Sequence, residues 1–253
     1  MNPLDDTKRI VIKLGGSLLS PYTEDPKNRI QFDFKYAEKL LLFLDKLPFN
    51  YVITIGGGSL NRSYLNVLRD RGLEMPETRQ DLHWIGISSG VINASVFRML
   101  AVDKFGTGAV YPEVVKHGMY DELPKHFAEL KNYRFIIAGG RQPGRSHDTD
   151  ALLLAALFDN NKVISLKNID GVYSADPKKN HKAKKITELS WKEYLEIIGV
   201  KIHEPGANYP VDALAAQLAM RSGMQFVICD GLDFVELRTV LITGKAKKGS
   251  LIR

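Results

Sequence analysis

Short runs of apolar, mostly β-branched residues recur along the chain, and segments with a helical spacing of apolar positions lie between them. The runs are apolar almost throughout rather than alternating, which is typical of strands buried on both faces of a parallel sheet. The predicted strands cover residues 9–14, 51–55, 133–138, 162–166 and 225–229. The predicted helices cover residues 35–44, 150–158 and 211–222.

Strands that alternate with helices predict an α/β fold, with a mostly parallel sheet and helices on both of its faces. The chain shows no internal repeat and no low-complexity linker. Its least regular stretch, residues 106–124, is expected to form an irregular excursion near the substrate side. The length of 253 residues alone allows one large domain or two small ones.

The composition is that of an ordinary globular protein, with 44% hydrophobic and 25% charged residues. Cys229 is the only cysteine, which excludes an internal disulfide and a cysteine-based metal site. The first eight residues are polar rather than leader-like, and no apolar run approaches the roughly 18 residues that span a bilayer. The expected protein is soluble and cytoplasmic, with no membrane partner.

The net charge of +6 is compatible with two kinds of partner, a nucleic acid or small phosphorylated anions. The densest basic stretch, residues 178–185, has no aromatic residues interleaved with its lysines. A surface that binds single-stranded nucleic acid uses such aromatics for base stacking. We therefore expect no nucleic-acid partner, and we interpret the stretch as a solvated basic loop that could lie near nucleotide phosphates.

Three of the predicted strands run straight into glycine-rich turns. We call residues 15–17 the first glycine turn, residues 56–59 the second and residues 139–144 the third. Glycine has no Cβ, so its backbone N–H groups can approach a phosphate closely. Open α/β sheets bind ligands outside the carboxyl ends of their strands. Three turns on that edge predict a long phosphate-rich ligand, or two ligands that meet end to end.

Charged residues accompany these turns. Lys13 precedes the first turn, where its ammonium group could bridge the β- and γ-phosphates of a nucleotide, unless it is a strand-end lysine that points to solvent. Arg62 follows the second turn and suits a bidentate grip on a phosphate, or else is a surface arginine of a helix. Asp148 and Asp150 follow the third turn, where a plain N-cap is the alternative.

Other kinds of chemistry lack their residues in this sequence. No Gly-x-Gly-x-x-Gly opens the first crossover, and no Gly-x-x-x-x-Gly-Lys-Ser/Thr loop occurs. No Ser-His-Asp or Cys-His arrangement is visible, and the six histidines show no metal-ligand spacing. Any metal is therefore expected to be Mg²⁺ that arrives with ATP.

Together these motifs resemble the amino acid kinase superfamily, and the resemblance runs from Lys8 nearly to Ile252. Lys13, the three glycine turns and Arg62 carry it. The most specific piece is segment 168–179, Asn-Ile-Asp-Gly-Val-Tyr-Ser-Ala-Asp-Pro-Lys-Lys, which is similar to the ATP-side segment of UMP kinases. The Gln-Pro-Gly of the third turn and the segment 206–212 look more like the archaeal type than the bacterial one.

The resemblance implies a single domain over residues 1–253, with a three-layer, doubly wound, mostly parallel sheet. Residues up to about 150 would form an acceptor-binding half, and residues from about 151 to 253 an ATP-binding half. Members of the family are commonly hexamers, so a homo-oligomer is implied. The implied reaction is in-line attack by an acceptor oxygen on the γ-phosphorus of ATP, with Mg²⁺ and without a covalent enzyme intermediate.

The resemblance also implies roles for individual residues. Lys13 and Asp148 would be catalytic, with Asp148 orienting the lysine and the metal. The implied acceptor-binding residues are Gly16, Gly57, Gly58, Arg62, His83, Gln142 and His147. The implied ATP-binding residues are Gly15, Asp170, Tyr173, Asp176, Lys179 and Asp212.

Two positions depart from the UMP kinase pattern, and both fall on the acceptor side. His83 stands where an aspartate usually reads the ribose, with Asp81 two residues away, and His147 stands where threonine is usual. UMP is the expected acceptor. The alternatives are a kinase of this family for another phosphate, phosphonate or carboxylate, and a non-catalytic protein that binds nucleotide and stores or senses anions.

Overall fold

The computed structural model describes residues 9–21, 32–177, 180–199 and 209–253, so Lys179 lies outside the described residues. The strands are β1 (Ile10–Leu14), β2 (Tyr51–Ile55), β3 (Phe135–Ala138), β4 (Lys162–Lys167), β5 (Val172–Tyr173), β6 (Lys185–Ile186), β7 (Glu188–Leu189), β8 (Gln225–Asp230) and β9 (Ser250–Ile252). The helices are α1 (Gly16–Leu19), α2 (Phe34–Asp45), α3 (Gly58–Asp70), α4 (Arg79–Phe105), α5 (Phe127–Leu130), α6 (His147–Leu157), α7 (Trp191–Ile198), α8 (Ala213–Ser222) and α9 (Phe234–Thr243).

Within the described residues, seven strands form one sheet in the order β3-β2-β1-β4-β8-β9-β7. Strands β1 to β4 and β8 run parallel, whereas β9 is antiparallel to β8. The chain builds outward from β1 through β2 to β3 and then returns to place β4 on the other side of β1. The sheet therefore reverses its winding between β1 and β4, which is where an open α/β sheet binds its ligand.

Alternate residues of each central strand face opposite sides of the sheet, because side chains of a strand point to its two faces in turn. One set packs against α6 and α8 and includes Val11, Val52, Ile136, Val163 and Phe226. The other set packs against α2, α4 and α9 and includes Ile12, Ile53, Ile137, Ile164 and Val227. These two cores confirm the predicted three-layer α/β fold with helices on both faces.

The predicted strands are confirmed to within two residues at each end. Helix α6 begins at His147 rather than Asp150. Ser146 accepts hydrogen bonds from the backbone N–H groups of Asp148 and Thr149, so the first turn of the helix forms earlier in the chain than predicted. Helix α4 was not among the predicted elements. Glycines and serines interrupt its apolar spacing, so its sequence lacks a clear helical stripe.

Judged by length and mean hydropathy alone, the segment Pro76–Phe105 could cross a membrane. The expectation concerned an uninterrupted apolar run, and this segment contains none of about 18 residues. Small polar residues interrupt its apolar spacing, but the average hydropathy of the segment remains high. Leu82, Ile87, Ala94 and Phe97 of this helix are buried within the protein, as in a core helix of a globular domain.

The predicted irregular excursion lies beside β3 and the third glycine turn. Isolated bridges join Val110 to Phe135 and Val115 to Ala138. Near its end, the buried Tyr120 hydroxyl donates a hydrogen bond of 2.7 Å to the carbonyl of Gly139. The excursion therefore supports the backbone from which the third turn begins.

Candidate active site

The first and second glycine turns are in direct backbone contact. A methyl group on Gly16 would overlap the nitrogen of Gly58 and the carbonyl of Gly56, and a methyl group on Gly58 would overlap the carbonyl of Gly16. Gly58 also has a φ of +61°, which L-residues rarely adopt. Only glycine allows the two turns to meet. The N-terminus of α3 then lies beside the first turn, and its Ser59 N–H donates to the carbonyl of Ser20 at 3.0 Å.

A buried cluster of two lysines and one aspartate lies at the centre of the site. Lys13 is the second-last residue of β1, Lys167 is the last residue of β4, and Asp148 is in the first turn of α6. The Nζ atoms of both lysines lie 3.4 Å from Oδ1 of Asp148. The side chains of Lys13, Asp148 and Lys167 are only 10%, 7% and 12% exposed. The alternative that Lys13 points to solvent is therefore wrong.

Burial and charge oppose each other in this cluster. Burial alone would raise the pKa of Asp148, but the charges and hydrogen bonds of Lys13 and Lys167 outweigh it, so the pKa lies below its usual value. Burial lowers the pKa of Lys167 to about 7, against the opposing attraction of Asp148. Asp148 is therefore ionised at neutral pH, and its carboxylate is shared between two lysine side chains.

Asp148 is held in place by a cap that belongs to another residue. Ser146 caps α6, and its Oγ accepts hydrogen bonds from the backbone N–H groups of Asp148 (3.0 Å) and Thr149 (3.3 Å). The alternative that Asp148 is itself a plain N-cap is therefore wrong. Because the cap is supplied by Ser146, the Asp148 carboxylate is directed towards the lysines.

Asp212 links the start of α8 to the start of α6. Its Oδ1 accepts hydrogen bonds from Leu214 N–H (2.9 Å) and Ala215 N–H (3.1 Å), which caps α8. Its Oδ2 accepts a short hydrogen bond from the Ser146 hydroxyl. Asp212 was expected to bind ATP. The structure places it behind Ser146, where it ties together the two helix starts nearest the lysine cluster.

Arg62 lies one turn into α3 and is half-buried rather than a free surface arginine. Its guanidinium donates hydrogen bonds of 3.3 and 3.4 Å to Ser17 Oγ in the first glycine turn. Burial lowers its pKa. Among the described residues it forms no salt bridge, so the first two turns meet beside a partly desolvated cation.

Asn93 was not anticipated, and it organises the second turn. This buried side chain of α4 donates hydrogen bonds to the carbonyls of Gly56 (2.9 Å) and Gly57 (3.1 Å), and accepts one from Ser20 Oγ (3.1 Å). It therefore connects the second turn to the end of α1. A polar residue in a largely apolar helix was the only sequence signal for it.

His147 lies between α4 and the third turn. A methyl group on Gly90 would overlap its Nε2, and a methyl group on Gly140 would lie 3.2 Å from the same atom. His83 is half-buried two helical turns before Gly90, on the same side of α4. Gln142 is half-buried in the third turn, whereas Asp81 is exposed. The expected acceptor residues of α4 and the third turn are thus brought to one wall of the site.

Charged residues stabilise the start of the third glycine turn through contacts with Arg141. The backbone N–H of Arg141 donates a 3.2 Å hydrogen bond to Oδ2 of the buried Asp150, and the Arg141 guanidinium pairs with Asp121 at 2.5 Å. His117 Nδ1 lies 2.7 Å from the carbonyl of Arg141. Burial raises the pKa of Asp150 to about 7. These contacts fix the backbone from which Gln142 projects.

The expected ATP-side residues form a separate group near the β5–β6 hairpin. Tyr173 Oη donates a 2.9 Å hydrogen bond to Oδ1 of Asp170, and Lys185 Nζ lies 2.8 Å from Oδ2. Burial raises the pKa of Asp170, but these two hydrogen bonds outweigh it and lower the pKa. A cavity of about 400 Å³ lies beside this group, between Asp170, Asp230 and the backbone before β9. Asp176 is exposed on the following turn.

The site therefore has three parts. Its centre contains Lys13, Asp148, Lys167 and the first two turns. The other two parts are named after their expected roles: the acceptor wall contains His83, Gln142 and His147, and the ATP-side group contains Asp170 and Tyr173. Lys167 was missed because a lysine at the end of a strand carries no signal until the neighbouring strand is known. In the described part of the chain, no group of three or more His, Cys, Asp or Glu side chains could hold a metal ion.

Comparisons with known proteins agree with this geometry. A family model described as the amino acid kinase family matches residues 8–230. A uridylate kinase from Thermococcus kodakarensis is 32% identical over 92% of this chain and 95% of that protein. Another, from Thermococcus sibiricus, is 31% identical over 96% of this chain and 99% of that protein.

Solved structures give the same result for the fold. The crystal structure of uridylate kinase from Archaeoglobus fulgidus covers 97% of this chain and 100% of that chain, with a TM-score of 0.68 and 28% identity. The structure of UMP kinase from Bacillus anthracis has a TM-score of 0.70 at 21% identity, which shows a shared fold. The chain belongs to the amino acid kinase family.

Proposed function

We propose that the protein is a uridylate kinase, which transfers the γ-phosphoryl group of MgATP to the phosphate of UMP and releases ADP and UDP. Two relatives that it matches over nearly their full length are uridylate kinases. The observation that carries the proposal is the position of the Lys13–Asp148 pair, buried at the point where the sheet reverses its winding. The two substrates would approach this point from the two halves of the sheet.

Lys13 would neutralise the phosphoryl group during transfer. Phosphoryl transfer needs positioning and charge stabilisation more than covalent chemistry, and a lysine with its partner already in place supplies both. Asp148 would orient that ammonium group. The backbone N–H groups of Gly16, Gly57 and Gly58 would line the path of the phosphates, whereas Gly15 donates its N–H to the carbonyl of Leu166 at 2.8 Å. No general base is required, because the attacking phosphate oxygen of UMP is already anionic.

Arg62 would hold the phosphate of UMP. It is partly desolvated, it lies between the first two turns, and its only hydrogen-bond partner given by the described residues is the Ser17 hydroxyl. An incoming phosphate would offer two oxygens to the two guanidinium nitrogens. His83, Gln142 and His147 would contact the nucleoside part of the acceptor.

ATP would occupy the side of the site formed by β4, β8 and the β5–β6 hairpin. Asp170, Tyr173 and Asp176 would border the adenosine, and Asp212 would act by holding the start of α8. The central donors are two lysines and one aspartate already shared between them, which suits phosphate better than a metal ion. We therefore assign Mg²⁺ to the substrate MgATP, and the chain's own cations to the phosphoryl oxygens.

We also propose that the protein acts in the cytoplasm as a homo-oligomer. The support is an apolar surface on α4, where Ile92 (51% exposed) and Met99 (68% exposed) lie two helical turns apart. Large apolar side chains that form a contiguous exposed patch mark association surfaces. Light scattering after gel filtration measures the oligomer size, and a monomer at micromolar concentration would contradict the proposal.

Release of ADP from MgATP, measured against a panel of acceptors, tests the function. The panel contains the ribonucleoside monophosphates together with small phosphates, phosphonates and carboxylates. We expect UMP to give the highest kcat/KM. ADP release with a different acceptor, and none with UMP, would keep the kinase but replace the substrate. Nucleotide binding without turnover of any acceptor would instead favour an anion-storage or sensing protein.

A further inference from the structure

A second cavity lies outside the three parts of the candidate active site, between α6 and the irregular excursion that precedes β3. Its volume is about 240 Å³. Most of its wall is apolar and comes from Leu123 and Pro124 of the excursion and from Leu153 and Leu157 of α6. Leu153 is 39% exposed, so the cavity can be reached from solvent past this side chain.

Two charged side chains also line this cavity, Arg141 of the third glycine turn and Asp121. Their ion pair is asymmetric, because the Asp121 side chain is 76% exposed and that of Arg141 is only 19% exposed. Within the described residues, the guanidinium donates a hydrogen bond to Asp121 Oδ1 and to no other acceptor. A guanidinium carries five N–H donors, so this largely buried cation keeps most of its donors available to a ligand.

The size of the cavity limits its occupant to a small molecule. An apolar cavity of about 150 Å³ holds a benzene ring. A volume of about 240 Å³ therefore has room for one ring or one branched chain, together with a single polar group. The Tyr120 hydroxyl, on another lining residue, is already bonded to the Gly139 carbonyl, which leaves Arg141 and Asp121 to bind that polar group.

The charges around the cavity favour an occupant with one negative charge. The Asp121 carboxylate marks a position from which a carboxylate binds the guanidinium, and an ion pair with so exposed a partner is weak enough to be exchanged. The buried Asp150 accepts a hydrogen bond from the backbone N–H of Arg141. Because two acidic side chains already contact Arg141, a dianionic phosphate would be repelled more strongly than a carboxylate.

We propose that this cavity is a second ligand site, which binds a small monocarboxylate with an apolar ring or branched chain. The ligand carboxylate replaces Asp121 on the Arg141 guanidinium, and the exposed Asp121 side chain turns to solvent. The apolar part of the ligand packs against Leu123, Leu153 and Leu157. Binding at this cavity goes beyond the proposed function and can be measured without turnover.

Titration calorimetry of the full chain, without nucleotide, tests the ligand class. The carboxylate probes are phenylacetate and 4-methylpentanoate, and their comparators are phenylacetamide, phenyl phosphate and phenethylamine. We expect a carboxylate to bind with a Kd of about 1 mM or below, and each comparator to bind at least about tenfold more weakly. Failure of both carboxylates to bind, or tighter binding of the phosphate or the amine, would overturn the proposal.

Arg141→Met tests the cation, because it removes the guanidinium and keeps the backbone N–H and carbonyl of residue 141. We expect it to weaken carboxylate binding at least about tenfold and to leave phenylacetamide binding unchanged. Lys125→Met is the matched control, since it removes one positive charge from the same region, and Lys125 is 71% exposed and paired with Glu122. Equal carboxylate affinities of Arg141→Met and Lys125→Met would overturn the proposal.

Leu153 offers a second test that leaves Arg141 untouched. Leu153→Asp places a negative charge at the exposed edge of the cavity, and Leu153→Asn places a neutral group of nearly the same shape there. We expect the aspartate variant to bind the carboxylate several-fold more weakly than the asparagine variant, because like charges repel. Equal affinities of the two variants would show that the carboxylate binds elsewhere and would overturn the proposal.

Arg62→Ala shows whether the probe binds at the acceptor phosphate site instead. We expect Arg62→Ala and wild type to bind the carboxylate with the same Kd. Loss of binding in Arg62→Ala, with full binding by Arg141→Met, would place the carboxylate on Arg62 and overturn the proposal.

Discussion

The imidazole of His147 occupies space that exists only because residue 90 is glycine. A methyl group on Gly90 would overlap His147 Nε2, although the two residues lie on different helices, α4 and α6. His147 is therefore seated between α4 and the third glycine turn. This contact shapes the acceptor wall at a position where the UMP kinase pattern usually has threonine and this chain has His147.

The contact predicts a coupling between the two positions. Gly90→Ala should displace the imidazole and raise the KM for UMP several-fold, while the KM for MgATP changes little. In a His147→Ala background, Gly90→Ala should have a smaller effect, because the imidazole is gone and only the tight 3.0 Å approach to the Ile55 carbonyl remains. Steady-state kinetics of the two single variants and the double variant give the coupling free energy.

Gly86→Ala is the matched control for this cycle. It adds the same methyl group to the same helix one turn earlier, but the nearest atoms there, on Asn61, lie 3.6 Å away, an ordinary contact. Both substitutions also gain helix propensity, so that effect cancels. If Gly90→Ala is as harmless as Gly86→Ala, the His147 imidazole does not shape the acceptor site.

Arg62 supplies a second prediction, on the phosphate of the acceptor. Arg62→Ala should raise the KM for UMP by about tenfold or more, and leave the KM for MgATP nearly unchanged, because a charge-assisted phosphate contact is lost. Arg69→Ala is the control on the same helix, since Arg69 is exposed and paired with Glu74 at 2.6 Å. An equal rise in both KM values would place Arg62 between the two substrates rather than on UMP.

The two lysines show what the sequence allowed and what it did not. The family resemblance implied that Asp148 orients Lys13, and the two side chains lie 3.4 Å apart. Lys167 was missed, since its role depends on β4 lying next to β1, and no local pattern encodes that neighbour. The strand pattern specified the fold class, whereas the strand order that brings these residues together is a property of long-range packing.

The contacts of helix α4 could not be predicted from the sequence for a related reason. Asn93 and Gly90 act on segments more than 30 positions away, on the carbonyl of Gly56 and on His147. Helical periodicity relates residues three or four positions apart and gives no information on pairs that lie so far apart in the chain. The role of Asp148 was also obscured locally, because an aspartate at a helix start resembles an N-cap until Ser146 is seen to fill that position.

Asp150 gives a prediction on stability and pH. Its pKa is raised by burial to about 7, whereas an aspartate in the unfolded chain ionises near pH 4. The unfolded chain therefore loses the proton first, and the free energy of unfolding falls as pH rises from about 4 to about 7. Asp150→Asn keeps an oxygen for the Arg141 N–H and should remove this loss. We expect it to stabilise the protein at pH 8 by about 2–4 kcal/mol.

Urea unfolding of Asp150→Asn and wild type at pH 5 and pH 8 measures this effect. The gain should be larger at pH 8 than at pH 5, and Asp103→Asn should show no such difference, since Asp103 is 69% exposed. A gain that is equal at both pH values would mean that the carboxyl group of Asp150 does not change its ionisation between them.

Formation of UDP tests the central claim most directly. Phosphorus NMR of a mixture of MgATP, UMP and protein follows the loss of ATP and the appearance of ADP and UDP in one sample. The account predicts equal amounts of ADP and UDP with wild type, and a rate about 10²-fold lower with Lys13→Ala, whose MgATP affinity falls less. ATP that stays intact in the presence of UMP, with MgATP shown to bind, would contradict it.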